Sequence, residues 1–186
     1  MSKTTITLPS FGLTDPGADK ELFFDDSAGA LALQNAGKIG QVLSDTKTDT
    51  ASISSSTFAA ISGLSQAITP SSSSSKILCI VQLNLGNDST NLYARLMRDT
   101  TSIFQSDSAS NRPQATYGYT SSGQYAMNPS PIVYLDSPST TSAITYSIYW
   151  RSDGSTTGYI NRTVGDRDNA NYDPRGTSSI VVMEIL

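Results

Sequence analysis

Leu64-Ser65-Gln66-Ala67-Ile68-Thr69-Pro70-Ser71-Ser72-Ser73-Ser74-Ser75-Lys76-Ile77-Leu78-Cys79-Ile80-Val81-Gln82-Leu83 sets an uncharged serine loop against a near-continuous apolar run. The stretch reads as a hairpin feeding a β-strand that is buried on both faces. At the two-residue period of a strand, Ile77, Cys79, Val81 and Leu83 share one face, and Leu78 and Ile80 share the other. One sandwich core covers only one of those faces, so a second chain is the expected cover for the other. The closing segment Ser178-Ser179-Ile180-Val181-Val182-Met183-Glu184-Ile185-Leu186 is again apolar on both faces, which suits a central strand near a subunit interface.

Composition agrees with a small β-rich protein built for assembly. The 186 residues are long enough for one domain of ordinary size plus an appendage. Only 15% of residues are charged, so solubility rests on Ser, Thr, Asn and Gln rather than on salt-bridged helices. A formal charge of -4 and a pI near 4.6 argue against nucleic acid as a partner, because a phosphate backbone needs a basic face. Met1-Ser2-Lys3-Thr4-Thr5 is followed by no apolar core of signal-peptide length, and no segment has the length of a membrane span. Synthesis and assembly in a cytoplasm, without membrane insertion, is the expectation. Cys79 lies inside the apolar run, where a buried structural thiol is expected.

Residues 1–36 differ from the rest. Ile6, Leu8, Phe11 and Leu13 are interrupted by polar residues, Pro9 and Gly12, and Asp15-Pro16-Gly17 marks a turn, so an extended arm that docks elsewhere is expected. Glu21-Leu22-Phe23-Phe24-Asp25 and Ala30-Leu31-Ala32-Leu33-Gln34 flank Asp26-Ser27-Ala28-Gly29 and suit a short hairpin; Ala and Leu propensity leaves a helix through Ala28 to Ala36 as the competing reading. From residue 37 to 186 strands and turns follow at the spacing of a sandwich. The expected strands are 40–43, 48–54, 58–61, 64–68, 76–85, 92–98, 101–105, 115–120, 130–135, 143–150, 158–164 and 178–186. In the strand over 143–150, Ile144, Tyr146, Ile148 and Trp150 share one face and Thr145, Ser147 and Tyr149 the other, so it should be half buried.

Gly40-Gln41-Val42-Leu43, Thr46-Lys47-Thr48-Asp49-Thr50, Ser54-Ser55-Ser56-Thr57-Phe58, Gly63-Leu64-Ser65, Ile68-Thr69-Pro70 with its serine run, and Ser178 to Ile185 occur in an order that resembles small fibre or spike proteins of tailed phages of aquatic bacteria. The resemblance covers about residues 37–186. It implies an antiparallel jelly-roll β-sandwich head, similar in shape to tumour-necrosis-factor and complement globular domains, that associates as a homotrimer. The all-β fold class, with an extended N-terminal arm and short hairpin, follows from this resemblance and the strand pattern together.

Histidine is absent, which removes the usual general base, the Ser-His-Asp arrangement and the commonest zinc ligand. The carboxylate pairs Asp25-Asp26, Asp45 with Asp49, and Asp166 with Asp168 lie in turn-like polar contexts where solvation sets their pKa. No catalytic residue, cofactor or metal is assigned. Asn161 to Asp173 is dense in oxygen ligands, and Asp166, Asp168 and Asn171 or Asp173 form a calcium candidate that lacks the Gly and terminal Glu of an EF-hand loop; the other reading is a solvated loop whose acids are offset by Arg162, Arg167 and Arg175. Tyr117, Tyr119 and Tyr125, with Tyr134, interleave with Ser, Gly and Asn and are the candidates for binding a host-surface glycan or protein; packing between strands or subunits is the equal alternative. The expected function is a non-enzymatic virion protein, a trimeric tail-fibre or spike component. Its arm anchors to other virion proteins through Ile6, Leu8, Phe11, Leu22 and Phe23, and its head faces the host. The alternatives are a capsid decoration or head-fibre protein, and a virion-attached carbohydrate-active enzyme.

Overall fold

The computed structural model describes residues 20–25, 30–35 and 38–186, which fall into two compact units, 1–38 and 39–186. In the first unit β1 (Lys20–Asp25) pairs antiparallel with β2 (Ala30–Asn35), with Leu22 opposite Leu33 and Phe23 opposite Ala32. Residues 30–35 are therefore strand, the hairpin reading rather than the helix. The arm residues Ile6, Leu8 and Phe11 lie outside the described residues.

The second unit is a sandwich of two antiparallel sheets. Its strands are β3 (Ile39–Lys47), β4 (Ala51–Ile53), β5 (Ala59–Ile68), β6 (Lys76–Gly86), β7 (Asp88–Arg98), β8 (Thr101–Phe104), β9 (Tyr117–Ser122), β10 (Asn128–Asp136), β11 (Ile144–Arg151), β12 (Gly158–Ile160) and β13 (Ser178–Ile185). One sheet runs β3-β13-β6-β10, with β12 and β4 continuing beyond the end of β13; the other runs β5-β11-β7, with β8 and β9 both on β7. The four-strand sets β3-β13-β6-β10 and β5-β11-β7-β9 face each other in the strand order of a jelly roll. Among the described residues there is no helix, and none long and apolar enough to cross a membrane.

Alternation fills the space between the sheets. Ile77, Cys79, Val81 and Leu83 of β6 face inward and are at most 1% exposed, against Ile180 and Val182 of β13 and Ile132 of β10. From the opposite sheet come Leu64 and Ile68 of β5, Leu92, Ala94 and Leu96 of β7, and Ile144, Tyr146, Ile148 and Trp150 of β11. The expected half-burial of β11 is what is found, with strict alternation along its length. Burial pushes the Cys79 thiol up to about 12, and the charge of Asp136 adds to the effect, so the thiol stays protonated and acts as a small apolar filler.

Three strand expectations are corrected. The strands expected over 58–61 and 64–68 merge into the single strand β5, which begins at Ala59, and Gly63 at φ 72° makes a left-handed step inside it. The strand over 158–164 stops at Ile160, because Asn161 takes φ 61°. The serine run is not a hairpin loop: β5 pairs with β11 and β6 with β13 and β10, so residues 69–75 cross from one sheet to the other. A hairpin would have required the two strands to share a ladder, and their apolar faces instead oppose each other across the core.

That crossing is held by a carboxylate. Glu184, 1% exposed at the end of β13, accepts hydrogen bonds from the Ser71 amide at 2.6 Å, the Ser71 hydroxyl at 2.7 Å and Gln41 Nε2 at 2.8 Å. Gln41 Nε2 also reaches Thr69 O, and Ser75 N closes a turn on Ser72 O. Burial by itself raises the carboxyl's pKa, but the donors from Gln41 and Ser71 outweigh it and bring it to about 2. With the folded value below the ordinary 4.5, this group's stabilisation is present above about pH 4.5 and is lost as pH falls toward about 2. Glu184→Gln should lower stability by about 1–3 kcal/mol at pH 7 and flatten the fall between pH 5 and 2 relative to wild type. Urea denaturation at a series of pH values checks both.

Candidate functional site

Two surfaces emerge from this arrangement. The first is the outer face of the β3-β13-β6-β10 sheet. Cross-strand register places Val42, Met183, Leu78 and Leu135 in one row, Ser44, Val181, Ile80 and Val133 in the next, and Thr46, Ser179, Gln82 and Pro131 in the third. None of these twelve positions is charged. Val42, Ile80, Val133 and Leu135 are 53%, 37%, 60% and 47% exposed, so the sandwich unit by itself does not cover the apolar half of the sheet. The outward Leu78 and Ile80 inferred from the alternation of β6 are thus at the centre of a contiguous uncharged patch. Four strands at ~4.8 Å spacing make it roughly 15 Å wide, comparable to the largest apolar patches that monomers expose.

The second surface is the loop joining β12 to β13, residues 161–177. Asn161 roots it: Nδ2 donates to Lys47 O at 2.8 Å and Asp49 O at 2.9 Å, and Oδ1 accepts from Ser178 Oγ at 2.7 Å. One amide therefore pins the place where β3 gives way to β4 and β12 gives way to β13. Asn suits it because its short amide tolerates a left-handed backbone better than most side chains. Within the loop, Asp173 accepts from Thr163 Oγ1 at 2.7 Å and from the Arg167 amide and Nε, and these partners, the Arg167 side chain first, lower its carboxyl's pKa. Asp166 is paired with Arg175 at 2.6 Å and Arg162 at 3.0 Å.

Two of the three acids of the calcium candidate, Asp166 and Asp173, are therefore committed to guanidinium groups, and among the described residues no three His, Cys, Asp or Glu side chains converge as metal ligands would. The arginine-offset reading is the one the geometry carries. Of the other carboxylate pairs, Asp49 is bound by Lys47 at 2.8 Å, while the side chains of Asp25 and Asp26 lie outside the described residues.

The tyrosines separate. Tyr117 on β9 packs against the core, and Tyr119 is half-buried with its hydroxyl bonded by Asn128 Nδ2. Tyr134 stacks on Phe104 at 4.7 Å and joins the two sheets. Tyr125 alone of the expected three is mostly exposed, at 52%, and it packs against the 161–177 loop: Gly165 N bonds Gln124 O, and Arg167 Cζ lies 4.0 Å from the Tyr125 ring centroid and 4.6 Å from that of exposed Tyr172. In the sequence Tyr125 stands more than forty positions before Arg167 and Tyr172 of the acidic loop, and nothing local to Arg167 or Tyr172 pairs them with it. The result is a tyrosine-arginine-tyrosine surface in which two exposed aromatic rings share one guanidinium.

Comparison with known proteins finds no matching family model and no matching curated protein. Among solved structures, the infectious bursal disease virus VP2 subviral particle matches at 12% identity and TM-score 0.41, over 96% of this chain and 46% of that one. A structure of the infectious bursal disease virus Gx strain matches at 11% identity and TM-score 0.35, over 96% and 47%. The chain thus spans less than half the length of either.

Asn161→Ala should cost about 2–4 kcal/mol, since it removes the amide that pairs Lys47 O, Asp49 O and Ser178 Oγ and leaves alanine, which adopts a positive φ less readily than asparagine. Asn161→Gly, which relieves only the backbone part, should recover about 1 kcal/mol of that. Thermal denaturation of the two variants separates the contributions.

Proposed function

We propose that the chain is a non-enzymatic virion structural protein, a homotrimeric tail-fibre or spike component whose N-terminal arm attaches to the particle and whose sandwich head meets the host surface. The observation that carries the assembly half is the uncharged, apolar outer face of the β3-β13-β6-β10 sheet. It offers no charge for a charged partner to read, and it is wide enough for its two halves to meet those of two neighbours about a threefold axis. The sequence resemblance described above supports the same symmetry. Attachment rests on Ile6, Leu8, Phe11, Leu22 and Phe23, and host contact on the exposed Tyr125, Arg167 and Tyr172, with Tyr117 and Tyr119 supporting β9 beneath. Three copies held together bind a repetitive surface far more tightly than one.

Light scattering of the purified protein should give three times the 19.7 kDa chain mass. Val133→Asp, a charge placed on the open face, should give a single-chain mass with unchanged circular dichroism. A wild-type monomer at micromolar concentration, or a trimer that survives Val133→Asp, overturns the assembly reading. Phe11→Ser with Phe23→Ser should abolish incorporation into particles without changing that mass, and normal incorporation overturns the anchoring.

A further inference from the structure

The outer face of the second sheet carries an arrangement used by neither the assembly face nor the tyrosine loop. Register sets Arg151 beside Tyr93 and Arg95 beside Tyr149, with Phe58 entering β5 at the same end. Arg95 Cζ lies 3.8 Å and Arg151 Cζ 5.6 Å from the Phe58 ring centroid, and Arg151 Cζ is also 4.9 Å from that of Tyr93. Two cations therefore share one aromatic ring. The ring's negative face offsets part of their desolvation but not their repulsion. Arg95 holds its proton less tightly than usual, first through burial and then through the charge of Arg151.

Elsewhere Arg98, Arg162, Arg167 and Arg175 each have an aspartate. Among the described residues, Arg95 and Arg151 take part in no ion pair. Each is instead fixed by one bond to a backbone carbonyl, Arg95 Nε to Gln114 O at 2.8 Å and Arg151 Nη1 to Ser56 O at 2.7 Å. Arg151 Nε is buried with no hydrogen-bond partner. A pair of pre-positioned guanidinium forks with N–H donors to spare and no counter-charge is the chemistry that receives an oxyanion.

We propose that Arg95 and Arg151, held on Phe58 beside Tyr93, bind a single oxyanion, the carboxylate, sulfate or phosphate group of an acidic sugar. The net charge of -4 on the whole chain disfavours a dense polyanion and favours one charged group presented on a mostly neutral ligand. Tyr93, half-buried next to Arg151, supplies an aromatic face and hydroxyl of the kind that a sugar ring packs against. The site lies within one chain, so it does not depend on the trimer.

Titration calorimetry of the full chain, wild type and Val133→Asp, with glucuronate, inorganic phosphate, sulfate and neutral glucose provides the test. Saturable binding of glucuronate by both proteins, absent with glucose, is expected. Arg95→Lys and Arg151→Lys, which keep the charge and the packing stem but lose the fork, should each weaken it by about tenfold or more. Preference for glucuronate over phosphate and sulfate identifies a sugar-borne carboxylate. Equal binding of the three anions supports an oxyanion site without sugar recognition and overturns the sugar part. No binding of any anion by wild type, equal binding of glucose, or unchanged affinity in both lysine variants overturns the site.

Discussion

A strand with apolar side chains on both faces can be covered on only one of them by a two-sheet sandwich, and β6 is that strand. It is paired along one edge by β13 and along the other by β10, so its backbone groups are satisfied within the sheet and its inward side chains form the middle of the core. Everything else takes position from it. The opposite sheet is the cover for Ile77, Cys79, Val81 and Leu83, and the crossing at residues 69–75 exists because β5 must leave the ladder of β6 to supply that cover. The outward Leu78 and Ile80, with their neighbours on β3, β13 and β10, remain as a surface that the sandwich itself does not cover.

Around the margins of the core, buried polar groups do the positioning that apolar packing cannot. Asp136 accepts from Tyr146 OH and from Arg98 Nη1, each at 2.7 Å, joining β10 to β11 and β7 of the other sheet. Burial, followed by this hydrogen bond, raises the Tyr146 phenol's pKa, so it remains a donor. Glu184 ties the crossing loop to β13, and Asn161 ties the root of the long loop to β3. A buried polar group without its partner costs more than the bond contributes, so each of these residues accepts one loop path and rejects its alternatives.

The period-two patterns were readable because side chains on a strand alternate whatever the strand pairs with. That is why the inward and outward faces of β6 and β11, the positions of most strands and the burial of Cys79 were apparent from residues alone. The joining of two expected segments into β5 was not apparent: whether Gly63 ends a strand or bends one depends on whether β11 runs past it. Likewise Tyr125 and Arg167, more than forty positions apart, meet only because the loop from β12 folds back over the end of β9.

The sequence by itself therefore determined the class of structure: all-β, sandwich-spaced, with two strands whose second faces want an apolar partner. These are local facts, since alternation, turn residues and charge content act within a few residues of where they stand. Only the tertiary structure decided which strands share a sheet, which acids are neutralised by which arginines, and which aromatic rings stand exposed beside a cation. Those outcomes depend on contacts between segments remote in the chain. The pairing of Arg95 and Arg151 over Phe58 is of this kind, because three strands from different parts of the chain must lie side by side before two cations can share a ring.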